Sequence, residues 1–222
     1  MKRVLPIDVR RPLLGLALGA ALCASLQGCV PLVVGATAVG SMAAVDRRTI
    51  GMQTDDKAIE LKGEGRASKI TGDKGRVAVS SYNRMVLLTG EVADEKMKAE
   101  VEAQIASMGD LKKIENDLEV APVSTVSARS SDLLMTSKVK AAIIDTKDLY
   151  ISAFKIHTDR GVVYLMGRVT QREAKLAAEV TRNAAANIRK VVKLFEYISE
   201  DELLELKAKP SPEEARPAAP AK

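Results

Sequence analysis

The stretch "NRMVLLTGEV" (Asn83 to Val92) returns 77 positions later as "RGVVYLMGRV" (Arg160 to Val169), with Gly90 meeting Gly167 and Val92 meeting Val169. The same shift, without a gap, lays "DLKKIENDLEV" (Asp110 to Val120) on "NIRKVVKLFEY" (Asn187 to Tyr197) and Asp55 on Asp132. Chance does not hold one register over such a span, so the chain carries two copies of one small domain. The copies are set at residues 54–122 and 131–199, with 123–130 as the linker between them.

The second copy predicts its elements in order. Asp132 is a residue type that caps helices, and the helix it opens is expected to run to about Ile144. "FKIHT" (Phe154 to Thr158) alternates as a strand does, Asp159-Arg160-Gly161 signals a turn, and "VVYLMGRV" completes a hairpin. Thr170-Gln171-Arg172-Glu173 is a capping box that opens an Ala-rich helix to about Asn187. "KVVKLFEYI" (Lys190 to Ile198) closes the unit. The order is helix, strand, strand, helix, strand, which predicts an α+β domain: a three-stranded mixed sheet with two helices on one face. In the first copy Met97, Val101, Ile105 and Met108 give the second helix its apolar stripe. The segment before it, "DDKAIELKGEGRA" (Asp55 to Ala67), holds two glycines and few apolar residues and reads as a poor helix.

The ends of the chain read differently. Lys2, Arg3, Arg10 and Arg11 precede the uncharged run "PLLGLALGAALCAS" (Pro12 to Ser25), the pattern of a secretory signal peptide too short to span a bilayer. Leu26-Gln27-Gly28 before Cys29 resembles the lipobox of bacterial lipoproteins. By that resemblance residues 1–28 are removed, Cys23 leaves with them, and Cys29 becomes the lipidated first residue, so no disulfide forms. With no Asp after Cys29, the lipoprotein analogy implies the outer membrane, with the protein anchored by lipid and facing the periplasm. Residues 29–53 are expected to be a flexible spacer, and 200–222, ending in the Pro- and Ala-rich "KPSPEEARPAAPAK", a disordered tail. Loss of the first 28 residues removes four basic side chains and one acidic one, which lowers the net charge from +5 to +2.

Composition excludes several functions. There is no Trp and only 3% aromatic residues, which argues against nucleic-acid stacking platforms. His157 is the single histidine and sits in an alternating strand; no Cys-His or Ser-His pair, metal-ligand spacing or phosphate-cradling loop occurs. The sequence reads as non-enzymatic, without cofactor, metal or nucleic-acid partner.

The passages "GVVYLMGRVTQREAKLAAEV" and "MVLLTGEVADEKMKAEVEAQI", where a Gly ends the second strand just before the helix, resemble BON domains. Together with "DRRTIGMQTDD" (Asp46 to Asp56) after a lipidated Cys, the chain is similar to the dual-BON outer-membrane lipoproteins of the DolP (YraP) family. That resemblance implies binding of anionic phospholipid by the second domain, support of outer-membrane integrity and enrichment at division sites. It leaves room for partners among outer-membrane assembly or cell-division envelope proteins.

The residues themselves point to where a membrane would be touched. From Asp55 to Ala121 there are 11 Lys and Arg against 14 Asp and Glu, a net of −3; from Ser131 to Ser199 there are 12 against 7, a net of +5. In the second copy Met135, Val139 and Ala142 form a core stripe, which leaves Leu133, Leu134 and Ile144 outside it. Flanked by Lys138 and Lys140, that apolar line suits a headgroup layer. The same three residues would also suit packing against the first domain or the far edge of their own core, or a protein partner, for which the acidic Glu100, Glu102 and Glu119 offer a second surface. By the family resemblance a Trp stands where this chain has Leu134, and Tyr150 is the candidate substitute anchor.

Overall fold

The computed structural model describes residues 46–208. The expected signal peptide, Cys29 and most of the expected spacer and tail lie outside the described residues. Helix α1 (Ile50–Thr71) leads into strands β1 (Arg76–Tyr82) and β2 (Met85–Val92), helix α2 (Glu95–Ala106) and strand β3 (Lys113–Val120). The second copy repeats the order as α3 (Val126–Ile144), β4 (Phe154–Asp159), β5 (Val162–Val169), α4 (Gln171–Asn183) and β6 (Lys190–Tyr197), and α5 (Glu200–Ala208) follows. Each copy forms a three-stranded mixed sheet with its middle strand antiparallel to the first and parallel to the third. The expected α+β architecture is therefore present twice.

The repeated glycines have a geometric cause. A Cβ on Gly90 would lie 2.0 Å from the Arg76 carbonyl oxygen, and one on Gly167 would lie 2.4 Å from that of Ala153. Both positions demand a bare backbone because the neighbouring strand approaches too closely for any side chain.

Strands β2 and β5 are buried on both faces. Val86, Leu88 and Val92 pack with Ala67, Val101 and Ile105 under α1 and α2. Val163, Leu165 and Val169 pack with Met135, Val139, Ile143, Ala174 and Ala177 under α3 and α4. The opposite faces meet each other: Tyr82 and Leu87 of the first sheet close on Tyr164, Met166 and Leu194 of the second. The result is two sheets face to face with each helix pair on an outer side.

Several elements depart from expectation. The segment expected to be a poor helix lies within the 22-residue α1. Its glycine is a packing device, since a Cβ on Gly63 would meet Val79 at 3.0 Å and Ile105 at 3.3 Å. Its buried face is polar: Asp56 accepts the amides of Asn83 at 2.7 Å and Arg84 at 2.8 Å, while Glu60 accepts that of Ser81 at 3.0 Å. Helix α3 starts at Val126 with Thr125 as its cap, inside the expected linker. Asp132 therefore caps nothing. Instead it accepts the amides of Arg160 at 2.8 Å and Gly161 at 2.9 Å, holding a hairpin turn whose two central residues have φ of 48° and 73°. The first-copy turn, with Asn83 and Arg84 at φ 50° and 65°, is held the same way, so Asp132 corresponds to Asp56 and not to Asp55.

The capping box at Thr170 and Glu173 is present, though its helix ends at Asn183. Ile143, rather than Ala142, completes the α3 core stripe. Residues 200–208, expected to be disordered, form α5 with Leu203 buried and Glu202 accepting from Arg168 at 2.6 Å.

Asp132→Ala would leave two turn amides without an acceptor, a loss of roughly 1–3 kcal/mol each if they stay dry. The urea midpoint should fall accordingly with an unchanged m-value; a shift within roughly 0.5 kcal/mol of wild type would contradict the turn-holding role.

Candidate membrane-contact site

Helix α3 turns its core stripe inward and leaves the opposite line in solvent. Leu133, Leu134 and Ile144 are 69%, 65% and 61% exposed, so none packs against the first domain or the core. Val126, 70% exposed, extends the line by two turns. Val126, Leu133, Lys140 and Ile144 recur at spacings of seven, seven and four, which keeps them on one strip about 27 Å long. Val126 is not legible as part of the line because Asp132, the stronger capping type, places the expected cap seven residues beyond the observed one; Thr125 is the available signal.

Lys138 and Lys140 are exposed on this helix and enter no ion pair among the described residues. Three other cations of the second domain are engaged within the fold. Lys155 bonds Glu60 and Arg160 bonds Glu119, both across the seam, while Arg168 lies 3.0 Å from Glu196. Tyr150 is half-buried beyond the helix, where its carbonyl accepts the Ala153 amide at 2.9 Å. Leu133, Leu134, Lys138, Lys140 and Ile144 are exposed on α3, and Tyr150 follows six residues after its last residue, Ile144.

The alternative acidic surface is partly spent within the fold. Glu119 is held by Arg160, and Glu102 accepts from Asn116 at 2.8 Å.

Arg47 and Arg48, expected within the flexible spacer, are fixed between the domains. Arg47 forks onto Glu173 at 2.8 and 2.6 Å and donates to the Arg168 carbonyl at 2.6 Å. Arg48 bonds Asp56 at 2.7 Å and lies over the Tyr82 ring, 4.2 Å from its centroid. Burial tends to raise the Glu173 carboxyl, but the Arg47 guanidinium and the Thr170 amide hold it below the usual range.

His157 sits in the seam, its Nε2 2.8 Å from Thr89 Oγ1. Thr89 is 1% exposed and His157 is half-buried. Burial lowers the imidazole pKa, with the Asp159 charge opposing and Arg76 and Lys155 assisting. Among the described residues no helix is long and apolar enough to cross a membrane.

Residues 66–122 and 131–199 each match the family model of the BON domain. The chain belongs to the BON-domain family, in two copies. Over 175 residues it is 34% identical to the outer membrane lipoprotein DolP of Haemophilus influenzae, covering 78% of this chain and 90% of that protein. Within the family it is thus one of the dual-BON outer-membrane lipoproteins related to DolP. It is also 28% identical over 156 residues to a 21 kDa hemolysin of Actinobacillus pleuropneumoniae, covering 69% and 80% of the two chains. Among solved structures, CdsD, a structural protein of the type III secretion system of Chlamydia trachomatis, aligns over 70% of this chain and 69% of its own. Its identity of 14% and TM-score of 0.27 are too slight to bear on the fold.

The seam carries a pH dependence of definite sign. His157 is depressed below its ordinary 6.5, so its contribution is complete above that value and is lost as pH falls through the folded pKa. Asp56, Glu60, Glu91 and Glu173 are also depressed, and their contributions fade only below the usual carboxylate range. Asp159 is raised by burial and acts in the opposite sense, favouring the fold when protonated. Stability should therefore begin to fall as pH drops below about 6.5, and His157→Gln should remove this first decline while leaving the acid limb. Equal pH profiles for the two proteins down to the carboxylate range would contradict this assignment.

Proposed function

We propose that this protein is a non-enzymatic lipoprotein, anchored by lipid on Cys29 to the outer membrane and facing the periplasm. Its second domain reads anionic phospholipid through the outer face of α3, and by this contact it supports outer-membrane integrity. Leu133, Leu134 and Ile144 enter the acyl–headgroup boundary, Lys138 and Lys140 snorkel to phosphate, and Tyr150 borders the contact. The observation that carries the reading is the exposed apolar strip of α3 beside two unpaired lysines, on the copy with a net charge of +5. An adaptor role through the acidic first domain has weaker support, since Glu119 and Glu102 already serve contacts within the fold.

Co-sedimentation of residues 46–222 with anionic and zwitterionic vesicles tests the contact. Binding should be confined to anionic vesicles and should weaken with salt. Each lysine near such a surface contributes roughly 1 kcal/mol, so Lys140→Glu should weaken binding about ten- to thirtyfold. Binding to both vesicle types alike, or an unchanged Lys140→Glu, would sink the proposal. Separately, Cys29→Ala should move the full chain out of the membrane fraction under high-salt washing; retention there would contradict the lipid anchor.

A further inference from the structure

A recess lies on another flank of the second domain, between α4 and the edge strand β6. It is a groove of about 500 Å³ lined by Lys175, Arg182, Lys193, Glu179 and Tyr197, with Ala174 and Ala178 among its lining residues. The small side chains on α4 leave the space open. Across the groove, Lys193 and Tyr197 flank Phe195 on the helix side of β6. The Tyr197 ring meets Phe195 edge-on at 6.3 Å, and Phe195 in turn meets Phe154 at 6.1 Å, so one wall is an aromatic surface braced by the core.

The charges of this groove are not used by the fold. Neither Lys175, Arg182 nor Lys193 has a side-chain hydrogen bond or ion pair among the described residues, and Glu179 neutralises none of them. Three cations against one carboxylate leave the recess at +2, which matches a phosphate dianion. Lys175 and Arg182 lie seven residues apart on one helix face, about 10 Å, so a ligand larger than phosphate can lie between them. Gln171 and Asn183 add amides at the two ends of the same face, Glu179 adds an acceptor, and the half-exposed Tyr197 ring offers an apolar plane. Amides and a carboxylate for hydroxyls, an aromatic plane for the C–H face of a sugar ring, and cations for the phosphate describe one ligand class.

We infer that the α4–β6 groove binds a phosphorylated saccharide, free or borne as the headgroup of a glycolipid. The site shares no residue with the α3 face and stands or falls independently of it. The test is calorimetric titration of the full chain in neutral detergent with glucose 1-phosphate, glucose and inorganic phosphate. A second arm measures binding to phosphatidylcholine vesicles with and without a phosphorylated diglucosamine lipid. Saturable binding of glucose 1-phosphate, or selective binding to the glycolipid vesicles, should weaken at least tenfold in the doubly substituted K175A/R182A protein. Leu134→Glu on α3 should leave it unchanged. Tyr197→Ala should reduce the preference for glucose 1-phosphate over inorganic phosphate. All four side chains are exposed, so these variants retain the fold. No saturable binding in either arm, binding insensitive to K175A/R182A, or equal affinity for inorganic phosphate and glucose 1-phosphate would overturn the assignment.

Discussion

The structure depends on the closure of one sheet over the other. A three-stranded sheet with helices on a single face leaves its second face bare, and a copy of this size has too little apolar surface to leave so much in water. Here each bare face covers its twin. Leu87 and Met166 are fully buried between the sheets, and each copy sends a tyrosine across. Tyr82 donates to the Ala153 carbonyl at 3.4 Å, and Tyr164 donates to Asp117 at 2.6 Å. Burial raises both phenols, Tyr82 to about 12, so both remain donors under all physiological conditions.

Around the apolar seam runs a ring of ion pairs that fixes the register between copies. Arg76 forks onto Glu91 within its own domain and reaches Asp159 in the other, and Lys112 lies 3.3 Å from Glu196. A buried ion pair contributes little net stability against a hydrophobic alternative, but breaking one strands a charge, so these pairs act against slippage of one sheet over the other. Their arrangement also decides what stays available outside. The acidic first domain and the basic second domain neutralise each other along the seam, leaving uncompensated lysines and arginines on the outer helices α3 and α4. The N-terminal Arg47 and Arg48 lock onto the same boundary, Arg47 onto the second domain and Arg48 onto the first, so the chain entering α1 meets both domains at once.

Much of this was legible in the sequence, for reasons that can be assigned residue by residue. Gly90 and Gly167 announced the repeat because a close strand approach tolerates nothing else, and the Thr170–Glu173 box announced α4 because a cap is a local interaction. Leu133, Leu134 and Ile144 could be identified as surplus to the core from spacing alone, since helical periodicity is local too. Helix α1 was not legible: its inward face is built on Asp56, Glu60 and Gly63, whose partners lie about 20 to 40 residues away or in the other domain. A polar core face defeats any reading based on apolar stripes. The seam was missed although a signal existed, because "MVLLTGEV" and "VVYLMGRV" are apolar at successive positions where a half-buried strand would alternate. Unbroken apolar strands in a small antiparallel hairpin call for a partner on each face.

Closure of the sheets puts α3 and α1 on opposite outer sides, so the proposed function turns α3 toward the membrane and α1 away from it. Fluorophores placed singly at Leu133 on α3 and at Ile50 on α1, each exposed and outside the core, report this directly. With anionic vesicles containing depth-graded nitroxide lipids, the label at 133 should be quenched at the acyl–headgroup boundary while the label at 50 stays accessible only to aqueous quencher. Equal quenching at both positions, or burial of the label at 50 alone, would contradict the account.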